Sequence, residues 1–195
     1  TSVSPFLAPV PAVMPSPIAV IDFETTGMSP GQGARATEIA IVLLDERGRV
    51  AGRFQSLVNT GAWIAPFITQ LTGITNAMVA NAPGAAEVMQ AAAHFVGNAP
   101  MAAHNAAFDR RFWQGELALA GLPAPQPFAC TVLLSRRLHP QAPNHQLGRL
   151  IDFHGLPRAG VAHRALADAE MAASLLALQQ RELRERWGVA QPDHA

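Results

Sequence analysis

The stretch Ile18-Ala19-Val20-Ile21-Asp22-Phe23-Glu24 joins an aliphatic run to two acidic residues. A short aliphatic run of this kind is typical of a buried β-strand. Residues two apart on a strand point to the same face of the sheet, so we expect the carboxylates of Asp22 and Glu24 to lie side by side. Carboxylate oxygens are the ligands that Mg²⁺ and Mn²⁺ prefer in proteins. The stretch therefore predicts both a strand and a site for a hard cation.

The rest of the chain alternates between strand-like and helix-like patterns. Further β-rich runs at 37–44 and 50–58 surround Glu46-Arg47-Gly48-Arg49, which predicts a hairpin. Helical periodicity and short apolar runs then predict helices at 85–95, 106–120, 131–138, 146–153 and 165–187, with strands at 101–103 and 127–129. Strands followed by alternating helices and strands predict a mixed sheet covered by helices, an α/β architecture.

The length and composition suit one folded domain. We assign residues 18–187 to that domain, 1–17 to an extended proline-rich arm and 188–195 to a frayed tail. A single cysteine, Cys130, has no partner for a bridge within the chain and is expected to be a small buried hydrophobe. The arm carries no positive charge, and no later apolar run reaches the length of a membrane span. We therefore expect a soluble, cytoplasmic protein that does not bind membranes.

Two further stretches place an acidic residue near the start of a predicted helix. They are His104-Asn105-Ala106-Ala107-Phe108-Asp109 and His163-Arg164-Ala165-Leu166-Ala167-Asp168. Asn105 is a good helix N-cap residue, and Asp109 alone would be explained by the positive end of the helix dipole. Five residues separate His163 from Asp168, which on one helix would point them roughly 140° apart. The spacing therefore predicts that Gly160 to His163 form a loop into the helix.

A cluster of four carboxylates would be costly without cations. Two ionised carboxylates about 4 Å apart repel by about 4 kcal/mol at an effective dielectric constant of about 20. Each motif taken alone has an ordinary explanation, such as a solvated strand edge for Asp22 and Glu24. Taken together, the acidic residues favour a cation-binding catalytic site.

The stretch Asp22-Phe23-Glu24-Thr25-Thr26-Gly27 and the two later stretches, in this order, resemble the three motifs of the DnaQ-like, or DEDDh, 3′-to-5′ exonucleases. They are similar to those of the exonuclease domain of the DNA polymerase III epsilon subunit. The resemblance covers about residues 18–180 and includes Leu71-Thr72-Gly73-Ile74-Thr75. It implies the ribonuclease H-like exonuclease fold, with a mixed central sheet and helices on both faces. It also implies two Mg²⁺ or Mn²⁺ ions, whose ligands are Asp22, Glu24, Asp109 and Asp168. His163 is then the general base that takes a proton from the attacking water.

The resemblance also implies residues that contact the terminal nucleotide. Thr25, Thr26 and Met28 follow the first motif and are expected to bind it. Phe108 either stacks on that nucleotide or belongs to the core. His104 directly precedes the second motif and is either a substrate contact or a hydrogen-bonded structural histidine.

The implied function is removal of nucleoside 5′-monophosphates from 3′ ends of single-stranded DNA. DNA is favoured over RNA, but an exoribonuclease and a noncatalytic nucleic-acid-binding subunit of a polymerase assembly stay open as alternatives. Any polymerase or repair partner is unknown.

The formal net charge is +0, which argues against tracking along long duplexes. Arg110, Arg111, Arg158 and Arg164 lie near the motifs, where they either contact phosphate or pair locally.

Overall fold

The computed structural model describes residues 17–188, apart from the side chain of Trp187. The predicted arm, except Pro17, and the predicted tail beyond Gly188 lie outside the described residues. The described chain forms a five-stranded sheet with the strand order β3-β2-β1-β4-β5. Its strands are β1 (Ile18–Thr25), β2 (Ala36–Leu44), β3 (Val50–Leu57), β4 (Met101–Ala103) and β5 (Phe128–Cys130). The first three are antiparallel, whereas β4 and β5 run parallel to β1.

The helices include all those that periodicity predicts and two that it missed. They are α1 (Pro66–Thr72), α2 (Asn76–Ala80), α3 (Ala85–Val96), α4 (Ala106–Leu119), α5 (Thr131–Leu138), α6 (Leu147–Phe153) and α7 (Ala165–Trp187). The missed helices α1 and α2 have seven and five residues. Pro66 begins α1, and Gly73 ends it at a φ of 76°, where a residue without a Cβ is favoured.

Helices cover both faces of the sheet, as predicted. On one face, α4 packs against β1 and α3 packs against β3 and α4, with Ile21, Phe23 and the buried Trp113 in a common core. On the other face, α7 packs its alanine-rich side, including Ala169 and Ala173, against Val20 and Val42. Small side chains let this helix approach the sheet closely. Because Asp22 shares the strand face of Val20, the strand directs its carboxylate toward α7.

Two local predictions from the sequence are wrong. Asn105 occupies the N-cap position of α4, but its φ is 68° and its side chain makes no capping hydrogen bond. The Ala106 N–H instead donates to the Cys130 sulfur at 3.4 Å. Cys130 is therefore half-buried beside the helix start rather than fully buried in the core. Within residues 17–188, every helix is too short or too polar to cross a bilayer.

Candidate active site

Three carboxylates converge at the end of β1. Asp22 and Glu24 lie on one face of the strand, and Asp168 comes from the first turn of α7. One carboxylate oxygen from each residue lies within 4.8 Å of the other two. The strand periodicity accounts for the first pair, whereas packing of α7 on the sheet supplies the third member.

Asp109 approaches the same strand from α4. Its side chain is buried, and Oδ1 accepts a hydrogen bond from the Phe23 N–H at 3.0 Å. The β1–β4 pairing ends at Val20 and Ala102, so Phe23 lies beyond the part of β1 that β4 covers. Asp109 thus completes the backbone hydrogen bonding of β1 while its charge acts on Asp22.

Burial and mutual repulsion make the four carboxylates hard to ionise together. Burial, followed by repulsion from Asp109, Glu24 and Asp168, raises the pKa of Asp22 well above its usual value. Burial is also the main cause that raises the pKa of Glu24 to about 8 and that of Asp109 to about 8. The pKa of Asp168 is raised by burial, although His163 opposes this shift. Without a counter-charge, the site holds protons near neutral pH.

The donor set fits a divalent cation. All four candidate ligands offer carboxylate oxygens, which are the hard ligands that Mg²⁺ and Mn²⁺ prefer. Asp22 Oδ2 is buried and has no hydrogen-bond partner within the described part of the chain. A buried carboxylate oxygen without a partner is costly, and a cation would satisfy it.

His163 lies in the loop that enters α7, as its spacing from Asp168 predicts. Its side chain is exposed, and its backbone is left-handed with a φ of 61°. Gly160 in the same loop has a φ of 49°. The His163 backbone N–H donates a hydrogen bond to the Asp168 carboxylate, which ties the loop to the acidic cluster.

A buried acidic residue that sequence reasoning missed anchors this loop. Glu38 on β2 accepts hydrogen bonds from Arg164 Nε at 3.1 Å and Nη2 at 2.7 Å. The Ala165 N–H donates to the same carboxylate at 2.8 Å. Glu38 therefore holds the start of α7, and Arg164 is paired locally. An acidic residue inside the apolar run 37–44 was the available signal.

Glu116 makes an equivalent anchor on the opposite face of the sheet. From α4 it accepts hydrogen bonds from Arg35 Nε and Nη2, both at 2.9 Å, and from the Ala36 N–H at 3.1 Å. The pairing joins the helix that carries Asp109 to the segment that leads into β2. The sequence contained no sign of this pair, whose members are 81 residues apart.

The predicted contacts of the terminal nucleotide are distributed over two regions. In the loop after β1, Thr25 Oγ1 donates to the Gly27 carbonyl at 2.7 Å, and Thr26 Oγ1 accepts from the Arg35 N–H at 3.0 Å. Both hydroxyls therefore shape the loop. Met28, at the same loop, is 74% exposed and free to contact a ligand.

Phe108 and His104 flank the start of α4. Phe108 is half-buried, with its ring centroid 4.9 Å from that of the buried Phe112. His104 bridges two segments, since Nδ1 lies 2.7 Å from Thr131 Oγ1 and Nε2 lies 2.8 Å from the His145 carbonyl oxygen. Burial lowers the pKa of His104. These contacts give His104 a structural role in linking the second motif to the loop before α6.

Comparison with known proteins assigns the chain to one family. The family model described as "Exonuclease" matches residues 19–176, and the chain belongs to this family, that of the DnaQ-like 3′-to-5′ exonucleases. The chain is 40% identical over 151 residues to a DNA polymerase III subunit epsilon-like protein of Rhodobacter capsulatus, and 39% identical over 153 residues to the 3′-5′ exonuclease DinG of Bacillus subtilis. These alignments cover 76% and 78% of this chain but only 21% and 16% of the relatives.

Solved structures agree with this assignment. Exonuclease X, in complex with 5′ overhanging duplex DNA, is 31% identical with a TM-score of 0.68, covering 84% of this chain and 91% of that one. The nuclease domain of 3′hExo, bound to rAMP, has a TM-score of 0.76 at 19% identity, covering 94% and 99%. The second similarity shows the fold alone. Together they confirm the predicted ribonuclease H-like exonuclease fold.

Proposed function

We propose that the protein is a divalent-metal-dependent exonuclease that releases nucleoside 5′-monophosphates from 3′ ends of single-stranded DNA. The observation that carries the proposal is the convergence of Asp22, Glu24 and Asp168 within 4.8 Å, with Asp109 against the same strand. Such a cluster is unfavourable without cations, so its presence in a family of nucleases supports a catalytic site. The chain matches only 21% and 16% of the length of the two relatives above. The activity of the whole protein is therefore also a proposal.

The four carboxylates would hold two Mg²⁺ or Mn²⁺ ions. When bound, the ions would offset the negative charge and stabilise the attacking and leaving oxygens of the phosphodiester. The role of this chain is to supply carboxylate oxygens from one strand, β1, and from two helices, α4 and α7. Asp22 Oδ2, which is buried and without a partner among residues 17–188, is a natural ligand.

His163 is proposed as the general base. Its exposed ring can approach the attacking water, and the hydrogen bond from its backbone N–H to Asp168 keeps the loop near the carboxylates. Proton abstraction by a positioned side chain typically accelerates a reaction 10²- to 10⁴-fold. The neutral imidazole accepts the proton, and a left-handed residue in a short loop allows the ring to move with the substrate.

DNA is the favoured polymer because the relatives above 30% identity point to it. One is named after a DNA polymerase subunit, and Exonuclease X was solved with overhanging DNA. Thr25, Thr26 and Met28 are proposed to contact the terminal nucleotide through the loop after β1. Phe108 remains a candidate for stacking, although its packing against Phe112 supports a core role.

The test is hydrolysis of 5′-labelled single-stranded DNA and RNA of equal sequence with Mg²⁺, Mn²⁺ or EDTA. We expect a metal-dependent ladder that shortens from the 3′ end, faster on DNA. Asp22→Asn is expected to abolish it, whereas Glu46→Gln, an exposed carboxylate in the β2–β3 turn, serves as the matched control. Faster cleavage of RNA would indicate an exoribonuclease, and cleavage of neither polymer would indicate a binding subunit.

A further inference from the structure

A cavity of about 520 Å³ opens beside the acidic cluster. It is lined by Asp168 and His163, and by Gln146 and Arg149 at the start of α6. Its volume falls within the range of about 300–1,000 Å³ that is typical of small-ligand sites. The cavity continues from the proposed scissile position toward α6, so that a strand whose last phosphodiester lies at Asp168 has room to extend through it.

Arg158 in the wall of this cavity is already committed to structural contacts. It donates two hydrogen bonds to the Asp152 carboxylate, at 3.1 and 2.8 Å, and a third to the Gly148 carbonyl at 3.2 Å. A Cβ at Gly148 would lie 3.3 Å from both terminal nitrogens of Arg158, so the glycine leaves space for this pairing. Arg158 and Asp152 therefore neutralise each other and support the loop that leads to His163.

Arg149 differs from Arg158 because it makes no salt bridge within the described residues, although after Arg158 its charge also helps to lower the pKa of Asp152. Its side chain is exposed, lines the cavity and forms no salt bridge within residues 17–188. The cavity that Arg149 lines is also lined by Asp168 of the acidic cluster, so a negatively charged polymer that enters it would pass beside the guanidinium. A guanidinium presents a planar set of donors that matches phosphate oxygens.

We propose that Arg149 binds the phosphate one nucleotide upstream of the scissile phosphodiester, and that the cavity holds the penultimate nucleotide. This inference rests on the proposed function, since it assigns a place to the strand that enters the site. Arg149 is then a substrate-binding residue that selects polymers over isolated nucleoside esters. This phosphate contact explains how a protein with a net charge of +0 holds a single nucleic-acid strand near the 3′ end of that strand.

Two dinucleotides that differ by one phosphate provide the test. TpT contains only the scissile phosphodiester, whereas 5′-phosphorylated pTpT also carries the upstream phosphate. We expect the wild-type protein with Mg²⁺ to cleave pTpT with a kcat/KM about tenfold higher, in keeping with one charged hydrogen-bonded contact. Arg149→Ala is expected to remove this preference and leave cleavage of TpT unchanged. Arg149→Lys should retain part of it, because a point charge remains.

Arg181→Ala is the matched control, since it removes an exposed helical arginine that does not line the cavity. It should keep the full preference for pTpT. On a longer single strand, Arg149→Ala should also reduce the slope of log KM against log salt concentration by about 0.7, the value for one lost phosphate contact. A thermal melt of each variant confirms that the fold is intact.

The outcomes separate this inference from the proposed function. Equal cleavage of both dinucleotides by the wild-type protein would overturn the role of Arg149 while leaving the exonuclease intact. An equal loss on both dinucleotides in Arg149→Ala would place the residue at the scissile centre and would also overturn the inference. Failure of the wild-type protein to cleave either substrate would refute the proposed function and this inference with it.

Discussion

Asp22→Asn is expected to stabilise the protein in the absence of divalent cations while abolishing hydrolysis. Burial and four neighbouring carboxylates raise the pKa of Asp22 well above its usual value. A carboxyl group whose pKa is higher in the folded than in the unfolded state makes folding less favourable as the pH rises. The asparagine amide has no charge to bury, so the variant avoids this cost.

The pKa of aspartate in the unfolded chain sets an upper limit on the free energy of unfolding that Asp22→Asn can gain. An aspartate with a pKa of 3.8 in the unfolded chain costs at most about 4 kcal/mol near pH 7, the limit for full protonation on folding at 1.36 kcal/mol per unit. A buried asparagine amide without hydrogen-bond partners costs about 1–3 kcal/mol, which offsets part of this stabilisation. We therefore expect the free energy of unfolding to increase by about 1–3 kcal/mol in EDTA. The melting temperature should rise by about 2–4 °C for each kcal/mol.

The assay is urea or thermal unfolding in EDTA between about pH 5 and about pH 8, with and without Mg²⁺. In EDTA the stability of the wild-type protein should decrease with rising pH, because its folded state holds protons that the unfolded state has lost. The decrease should be smaller in Asp22→Asn. Mg²⁺ should stabilise the wild-type protein more than the variant, since it binds the intact ligand set.

Glu46→Gln controls for the loss of an ordinary surface carboxylate and should match the wild-type protein throughout. The reasoning would be refuted if Asp22→Asn were less stable than the wild-type protein in EDTA near neutral pH and lost stability in parallel with it. Asp22 would then be a stabilising residue, and the energetic argument for a cation at this site would fail.

His163→Ala should lower kcat by about 10²- to 10⁴-fold, with Mg²⁺ binding measured by calorimetry unchanged, and normal turnover would exclude the general-base role. Glu38→Gln should reduce the free energy of unfolding, measured in urea, by about 2–3 kcal/mol. This is below the usual cost of breaking a buried ion pair because Arg164 is 31% exposed. The variant should also lower kcat more than it raises KM, and an unchanged kcat would limit the role of Glu38 to stability. Phe108→Ala should lower the melting temperature because the ring packs on Phe112; a higher KM for a dinucleotide would add a substrate contact.

Local sequence patterns were sufficient to predict the strands and most of the helices. The alternation along Ile18–Thr25 predicted that Asp22 and Glu24 share a face, and the five-residue spacing predicted that His163 precedes the helix of Asp168. Long periodic segments such as α4 and α7 were predicted for the same reason. The short helices α1 and α2 were missed, although α6, which also has seven residues, was predicted. Pro66 and Gly73, which bound α1, are typical of turns when they are read locally.

Local propensity failed where a tertiary contact replaced it. Asn105 was expected to cap α4 with its side chain, but the helix start lies against β5, and the Cys130 sulfur accepts the Ala106 N–H. Arg164 was expected either to contact phosphate or to pair locally, and it pairs with the buried Glu38. Both outcomes depend on a partner from a distant part of the chain, which a local pattern does not contain.

The sequence by itself determined the α/β class, the order of the three motifs and the residue types that suit a cation, because these follow from periodicity and from side-chain chemistry. Only the tertiary structure decided that Asp109 completes the hydrogen bonding of β1 from 86 residues away, and that Glu38 holds the start of α7 across 126 residues. The same holds for the cavity that separates Arg149 from Asp168. Such contacts arise when helices pack on the two faces of one sheet, and packing depends on the whole chain at once.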